Sequence, residues 1–408
     1  MLYLISKFKM LKELKTHKFL TLIVCINQFD LFTTQIVVIK QNYYNFYVFS
    51  IKNYIFRLIN TKEPFMKKKL SLFLLCLFFF NSYSQDFHYS QFYNSPLTLN
   101  PALTGMTEGS FRVGGIYRNQ WWNTSGNFIN TAFSTPSLSF DAPIFLNNSA
   151  IGLGIVLLND RVAAGLLNDF TALGSFSYIL GLGSNQDHLL SFGVQGNYTN
   201  RSFSNNLEFA SQFQDNEFNS SYGNPEALEG NTFHHFDANA GIAYLFKITE
   251  DIKFNAGFSA FNIIATDNSA LTGSNKSKYR RYSGQLGADI GFTSKMAILP
   301  SILFMQQNNV NQLNAGLAFA YKFNTDLRMY LGAYNRSNGW VNDLQMDAII
   351  AYAAMDIKNF KVGLSYDFTI SELQNVPNNT SAIELSLLYI HKKKEKEIPA
   401  LNLFCPRF

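Results

Sequence analysis

Between Val362 and Ile370 every second residue is large and apolar. Val362, Leu364, Tyr366, Phe368 and Ile370 share one parity, and Gly363, Ser365, Asp367 and Thr369 the other. Side chains of a strand point alternately to its two faces, so this segment separates an apolar surrounding from a polar or close-packed one. The pattern returns at Leu190/Phe192/Val194/Tyr198, at Ile252/Phe254/Ala256/Phe258 and at Leu313/Ala315/Leu317/Phe319/Tyr321/Phe323. Strands of this kind, repeated along a chain, are the signature of a transmembrane β-barrel with lipid outside and a polar lumen within. The expected class is all-β: an antiparallel transmembrane barrel of the bacterial outer-membrane type.

Fourteen strands are predicted, near 110–119, 127–140, 150–159, 168–180, 187–200, 235–246, 251–262, 281–293, 296–306, 311–323, 326–335, 344–354, 359–370 and 381–391. The number is even, as single-chain bacterial barrels require, and most segments are long enough to cross a bilayer at a tilt. With a periplasmic N-terminus, connections after odd strands face outward. The long segments 201–234, 263–280, 336–343 and 371–380 follow odd strands, and the tight ones 247–250, 294–295, 324–325 and 355–358 follow even strands. Long external loops with short periplasmic turns are the expected asymmetry. Asp141–Ser149 is longer than a tight turn should be. On this assignment Phe368→Arg charges the lipid face, whereas Asp367→Asn alters a lumen position and should barely affect assembly.

Composition agrees. Aromatic residues make up 16% of the 408 residues, with 40 Phe and 21 Tyr, and charged residues only 15%, against roughly 25% charged in ordinary globular proteins. The net charge of +5 is misleading, because residues 1–69 hold 12 Lys/Arg against 3 Asp/Glu and the rest holds 21 against 25. The mildly acidic remainder gives nucleic acid no electrostatic footing. Of Cys25, Cys76 and Cys405 only the last is expected in the mature chain, so no disulfide or thiolate metal site follows.

Met66-Lys-Lys-Lys, the apolar run Leu70–Phe80 and the small polar stretch Asn81–Gln85 have the layout of a secretory signal peptide, with cleavage expected between Ser84 and Asp86. Cys76 does not suit a lipoprotein anchor, since Leu74 and Leu75 precede it and Leu77 follows. The expected organisation is therefore an upstream extension (1–65) from a start called too early, a signal peptide (66–85), an ordered lead-in (86–109), the barrel (110–391) and a tail (392–408).

The lead-in reads Asp-Phe-His-Tyr-Ser-Gln-Phe-Tyr-Asn-Ser-Pro-Leu-Thr-Leu-Asn-Pro-Ala-Leu-Thr-Gly over residues 86–105. Pro96 and Pro101 cannot donate to a sheet, Asn100-Pro101 favours a turn, and Gly105 tolerates positive φ. With Tyr117-Arg118-Asn119-Gln120-Trp121-Trp122 at the end of strand one, and Asn159-Asp160 followed by Gly165 after strand three, the sequence resembles the PorP/SprF family of type IX secretion system outer-membrane proteins. The matching residues are Ser90, Gln91, Pro96, Asn100, Pro101, Ala102, Gly105, Tyr117, Arg118, Gln120, Trp121, Asn159, Asp160 and Gly165. The resemblance implies a barrel in the outer membrane that takes part in secretion and gliding. Its implied partners are outer-membrane lipids, components of the periplasmic secretion ring, and a secreted surface protein such as an adhesin.

No catalytic, cofactor-binding or metal site is expected. His234-His235 with Asp237 is read as a loop edge, because adjacent histidines on a strand face opposite ways. Gly152 and Gly154 lie on the small face of a strand and are expected to admit close lumen packing. Arg118, Asp160, Arg161, Arg280 and Arg281 fit rim or lumen ion pairs, and Lys392–Glu397 fits a solvated tail. The competing function is an outer-membrane porin or transporter of hydrophobic ligands; an enzyme would need a nucleophile–base pair that the strands do not show. A barrel of this size encloses a channel unless the lead-in or an outer loop plugs it.

Overall fold

A computed structural model describes residues 21–24, 36–39, 86–121, 133–183, 186–204, 213–214, 217–218, 231–265, 278–340, 343–375, 381–392, 401 and 403. The expected signal peptide, Trp122 and residues 393–397 of the charged tail lie outside them. The chain divides into two units. One holds two short antiparallel pairs, Thr21–Val24 with Ile36–Ile39 and Phe213–Gln214 with Glu217–Phe218. The other, Gln85–Glu208 with Pro225–Phe408, holds the barrel.

The barrel is closed, antiparallel and fourteen-stranded. Its strands are β1 (Gly109–Gln120), β2 (Phe133–Phe145), β3 (Ser149–Val162), β4 (Leu167–Leu182), β5 (His188–Phe203), β6 (Thr232–Thr249) and β7 (Ile252–Phe261). They continue as β8 (Arg281–Gly291), β9 (Met296–Gln307), β10 (Val310–Lys322), β11 (Leu327–Trp340), β12 (Asp343–Ile357), β13 (Phe360–Thr369) and β14 (Ala382–Lys392). Each strand pairs with its sequence neighbours, and β14 closes on β1 from Ala382 opposite Gln120 to Lys392 opposite Gly109. Closure leaves no edge strand, the condition for spanning lipid.

The expected strand count holds, with two corrections. The second strand runs on to Phe145, so only 146–148 separate it from β3 and the apparent long turn disappears, while its expected start at 127–132 lies outside the described residues. Its inward Asp141 is held by Arg112, which keeps pairing going past the polar break that the sequence suggests. β11 and β12 run on across the expected loop 336–343 and leave only 341–342 between them. The connection 308–309 is also a tight turn, with Asn308 at φ 52°, a left-handed conformation that Asn tolerates. The end reached after odd strands thus carries the long connections 204–231 and 262–280, the intermediate ones 121–132 and 370–381, and the short ones 163–166, 308–309 and 341–342. The opposite end carries only short turns, and is the periplasmic one by the usual asymmetry.

The outward face is apolar and unshielded: Leu364 is 48% exposed, Phe368 51% and Leu331 60%. Such a continuous belt on a soluble protein would be an aggregation surface; here it matches the hydrocarbon. Aromatic and histidine side chains cluster near both ends of the wall. His188 stacks on Phe246 and pairs with Tyr244 near the turn end, and Tyr198 donates to or accepts from His234 at 2.7 Å near the loop end. His234 and His235 face opposite sides of β6, the first exposed and the second buried. Among the described residues no group of three His, Cys, Asp or Glu side chains could hold a metal.

Candidate functional site

The lumen is occupied by the chain's own lead-in. From Tyr89 to Thr107 every residue except Thr98 is buried. The segment folds as a 3-10 turn (Phe92–Asn94), one helical turn (Pro96–Leu99) and a second 3-10 turn (Pro101–Leu103). Each of the last two starts on a proline, whose fixed φ suits the first helical position and whose missing N–H is an orphan there anyway. Asn100 caps the last one by accepting from Ala102 N–H at 2.9 Å.

The lead-in begins at the end of the barrel that bears the long connections. Asp86 N–H donates to Gln307 Oε1 (2.8 Å), and its carboxylate accepts from Asn262 Nδ2 (2.8 Å) and meets Lys278 Nζ (2.8 Å). Burial alone would raise the Asp86 carboxyl, but Lys278 and Arg281 outweigh it and hold it well below the usual carboxylate range.

A charge clamp follows. The N–H groups of Ser90 and Gln91 donate to the Glu384 carboxylate at 2.6 and 2.8 Å. Arg118 pairs with both Glu384 and Asp367, and Arg336 reaches Asp367 at 2.6 Å and Asp347 at 2.8 Å. The Ser90 hydroxyl accepts from Arg118 (2.8 Å) and Arg336 (3.2 Å) and donates to Asp367 (2.7 Å). Buried charges are tolerated only when paired in this way. The lumen placement expected for Asp367 holds, but the mild effect expected of Asp367→Asn does not fit its setting, since its carboxylate joins two arginines and the lead-in. Gln91 adds bonds to Ser365 Oγ (3.1 Å) and to the Glu384 carbonyl (3.0 Å). Beside it Tyr93 packs edge-on to Tyr352, with ring centres 5.1 Å apart.

Further down, small inward residues of the wall serve the lead-in backbone. Ser259, Ser191 and Ser177 donate to the carbonyls of Leu99, Ala102 and Thr104 at 3.0, 2.7 and 2.6 Å. Gln195 donates to the Leu97 carbonyl at 3.1 Å, and Asn100 Nδ2 to that of Ile242 at 3.1 Å. Glycines let the backbones meet: a Cβ on Gly152 would lie 2.1 Å from the Thr104 carbonyl oxygen, and one on Gly193 2.2 Å from the Pro101 carbonyl carbon. The close packing expected at Gly152 and Gly154 is therefore realised against the lead-in itself, with Gly154 facing Leu97.

At the turn end Arg112 grips Asp141 through two parallel bonds of 2.9 and 2.7 Å, and Asp141 also accepts from Gly105 N–H at 2.7 Å. Gly105 has φ +71°. Leu401 and Leu403 of the C-terminal segment are buried here, Leu401 over Gly181.

Ser90, Gln91, Pro96, Asn100, Pro101, Ala102, Gly105 and Arg118 are thus brought together in one lumen assembly, and Gln120 lies within 3.5 Å of Arg118. Tyr117 and Asn159 share the outward parity of their strands and stay apart from it. Trp121, at φ 58°, donates its N–H to the Ser381 carbonyl, and Asp160 accepts from Thr135 (2.7 Å). Gly165 closes the turn after β3 at φ +92°. Arg281 donates to the Phe87 carbonyl at 3.2 Å and covers Phe261, whereas Arg280 is exposed. Sequence reasoning missed Glu384, Arg336, Arg112 and Asp141. Their signal was present: each is a charge on the inward parity of a strand whose other parity faces lipid.

These features define an outer-membrane-type β-barrel whose lumen is filled by its own N-terminal segment. The chain belongs to the PorP/SprF family, type IX secretion system membrane proteins, whose family model matches residues 81–389. No curated protein matches it. Among solved structures the barrel is similar to the toluene transporter TbuX of Ralstonia pickettii, at 11% identity over 74% of this chain and 94% of that one, with a TM-score of 0.47. The toluene transporter TodX of Pseudomonas putida is similar at 13% identity over 74% and 94% (TM-score 0.45). A FadL homologue of Pseudomonas aeruginosa is similar at 11% over 73% and 94% (TM-score 0.43).

Proposed function

We propose that this protein is a docking barrel of the type IX secretion and gliding machinery, which binds and helps secrete or anchor a specific surface protein such as an adhesin. In this reading it reaches the outer membrane through a signal peptide, Met66–Gln85, cleaved between Ser84 and Asp86. The observation that carries the docking role is the filled lumen. A wall that commits inward serines, glycines and charges such as Ser177, Ser191, Gly152, Gly193 and Glu384 to the lead-in is built as a rigid support, and the recognition surfaces of such a support are its connections. The long connections 204–231 and 262–280 are the surfaces offered to the exported partner, and the tight turns are those offered to periplasmic ring components. The transporter alternative requires a path through the lumen that the lead-in occupies.

Purification in mild detergent from cells expressing the machinery tests this directly. A surface protein should be retained with the barrel, and liposomes containing the barrel should not swell in small sugars. Swelling without a co-purifying surface protein would favour the porin reading.

A further inference from the structure

The direction in which the lead-in threads the lumen bears on where the protein begins. Its contacts descend in order. Asp86 meets Asn262, Lys278 and Gln307 at the long-connection end; Ser90 and Gln91 meet Glu384; Asn100 meets Ile242 at mid-wall; Thr104 meets Ser177; and Gly105 meets Asp141 at the turn end. Only then does β1 start at Gly109 and run back up the wall. The periplasmic N-terminus assumed from the sequence therefore holds for the start of β1 and not for the chain ahead of it. Below Asp86 the bore is filled by the lead-in, and at its foot by Leu401 and Leu403. Asp86 itself therefore stands at the outer mouth.

We propose that the processed N-terminus is displayed on the cell surface, beside the base of the 262–280 connection, and that the barrel closes around a lead-in already released from its signal peptide. The order of events follows from geometry. A signal peptide still held in the inner membrane would keep residue 85 on the periplasmic side, a full membrane thickness from the place Asp86 occupies. Fourteen strands joined edge to edge leave no lateral gap, and an end still tethered by its signal peptide cannot be drawn up the bore from the periplasmic mouth either. Cleavage therefore comes first, and the freed lead-in is the core against which the strands close.

Thiol labelling of whole cells tests this, in a Cys405→Ser background, with a membrane-impermeant maleimide. Gln85→Cys reports the N-terminus, Ser269→Cys the outer connection and Asn359→Cys a tight turn, with heat-modifiable migration confirming that each barrel is folded. Gln85→Cys should label on intact cells to the level of Ser269→Cys, while Asn359→Cys labels only after permeabilisation. Labelling of Gln85→Cys only after permeabilisation, or not at all, overturns the proposal, as does surface labelling of Asn359→Cys. Should Gln85→Cys impair processing, a short epitope inserted between Gln85 and Asp86 gives the same readout with an antibody. Retention of a surface partner is measured separately, so either idea can fail alone.

Discussion

The two ends of the lumen hold the same segment by different means. Toward the outer mouth the grip is electrostatic: two arginines and two carboxylates converge on Ser90 and Gln91. Toward the periplasm one bidentate pair, Arg112–Asp141, sits beside a seat made mainly of glycine surfaces and serine hydroxyls. Charge gives a clamp that is strong when complete and costly when broken, because each remaining partner is left buried. Close backbone contact gives a seat that tolerates no added atoms. The upper end should therefore fail by deletion and the lower end by addition.

Glu384→Ala is the sharpest deletion. It leaves Arg118 with only Asp367, a carboxylate it shares with Arg336, and two lead-in N–H groups without an acceptor; removing one member of a buried pair costs roughly 3–5 kcal/mol. The lead-in should become sensitive to protease and the barrel should unfold at lower temperature on a heat-modifiability gel. Asp367→Asn should follow the same course, against the mild effect that the alternation pattern suggests. An apolar replacement of the pair, Arg118→Met with Glu384→Leu, should recover much of the loss, as such exchanges are often neutral or stabilising. If the double variant is as weak as Glu384→Ala, the cost lies in the lost N–H acceptor and not in the orphaned charge.

Phe368→Arg ranks next and separates wall from lumen. It neighbours Asp367 but points to lipid, where a cation costs roughly 2–4 kcal/mol near the midplane and less toward the rim. Folded yield should fall while any barrel that does form keeps a protease-resistant lead-in. Loss of that resistance would show that the two faces of β13 are not independent.

Addition at the seat comes third. Gly152→Val drives side-chain atoms into the Thr104 carbonyl, and overpacking of this kind costs typically 1–3 kcal/mol. Gly174→Val is its control. It lies on the outward parity of β4 with nothing within 4 Å of a built Cβ, so it should leave the thermal transition unchanged. Equal effects from the two would remove the case for the seat.

The outer wall was legible because lipid imposes one rule on every strand, and residues such as Leu364 and Phe368 obey it without exception. The lumen was less so. Its rule is set by the particular shape of the lead-in, so Ser177, Ser191 and Ser259 read as merely small until the carbonyls they serve are in place. Strand ends were misjudged where polar residues continue the pairing, at Asp141 and across 336–343, because an inward charge that finds a partner costs less than its sequence context implies. The motif over Ser90–Gly105 was recognisable as ordered, but nothing local in it reveals that it runs down the bore from the outer mouth.

Asp86 is a weaker tether than either clamp. Its carboxyl is held low in the folded protein, so the stabilisation it gives is fully present above its unfolded pKa of about 4 and is lost as pH falls below that. Asp86→Asn should therefore remove a small acid-dependent loosening of the lead-in's first residues, visible as protease cleavage near Phe87 in wild-type at low pH only. A loosening that persists in Asp86→Asn would point to another group.

The smallest effect on the barrel is expected from shortening Leu207–Leu228 to a tight turn. β5 and β6 pair from Leu189 opposite Leu245 up to Ser202 opposite Thr232, so the wall is complete before the connection starts. External connections beyond such a ladder tolerate large deletions. The variant should insert, migrate as a heat-modifiable barrel and keep its lead-in protected, while the surface partner is no longer retained in mild detergent. Full retention would move docking away from this connection, leaving 262–280 with its neighbour Asp86 as the surface to truncate next. Loss of the barrel itself would mean that the connection takes part in folding, and the division between a rigid wall and a recognising rim would have to be redrawn.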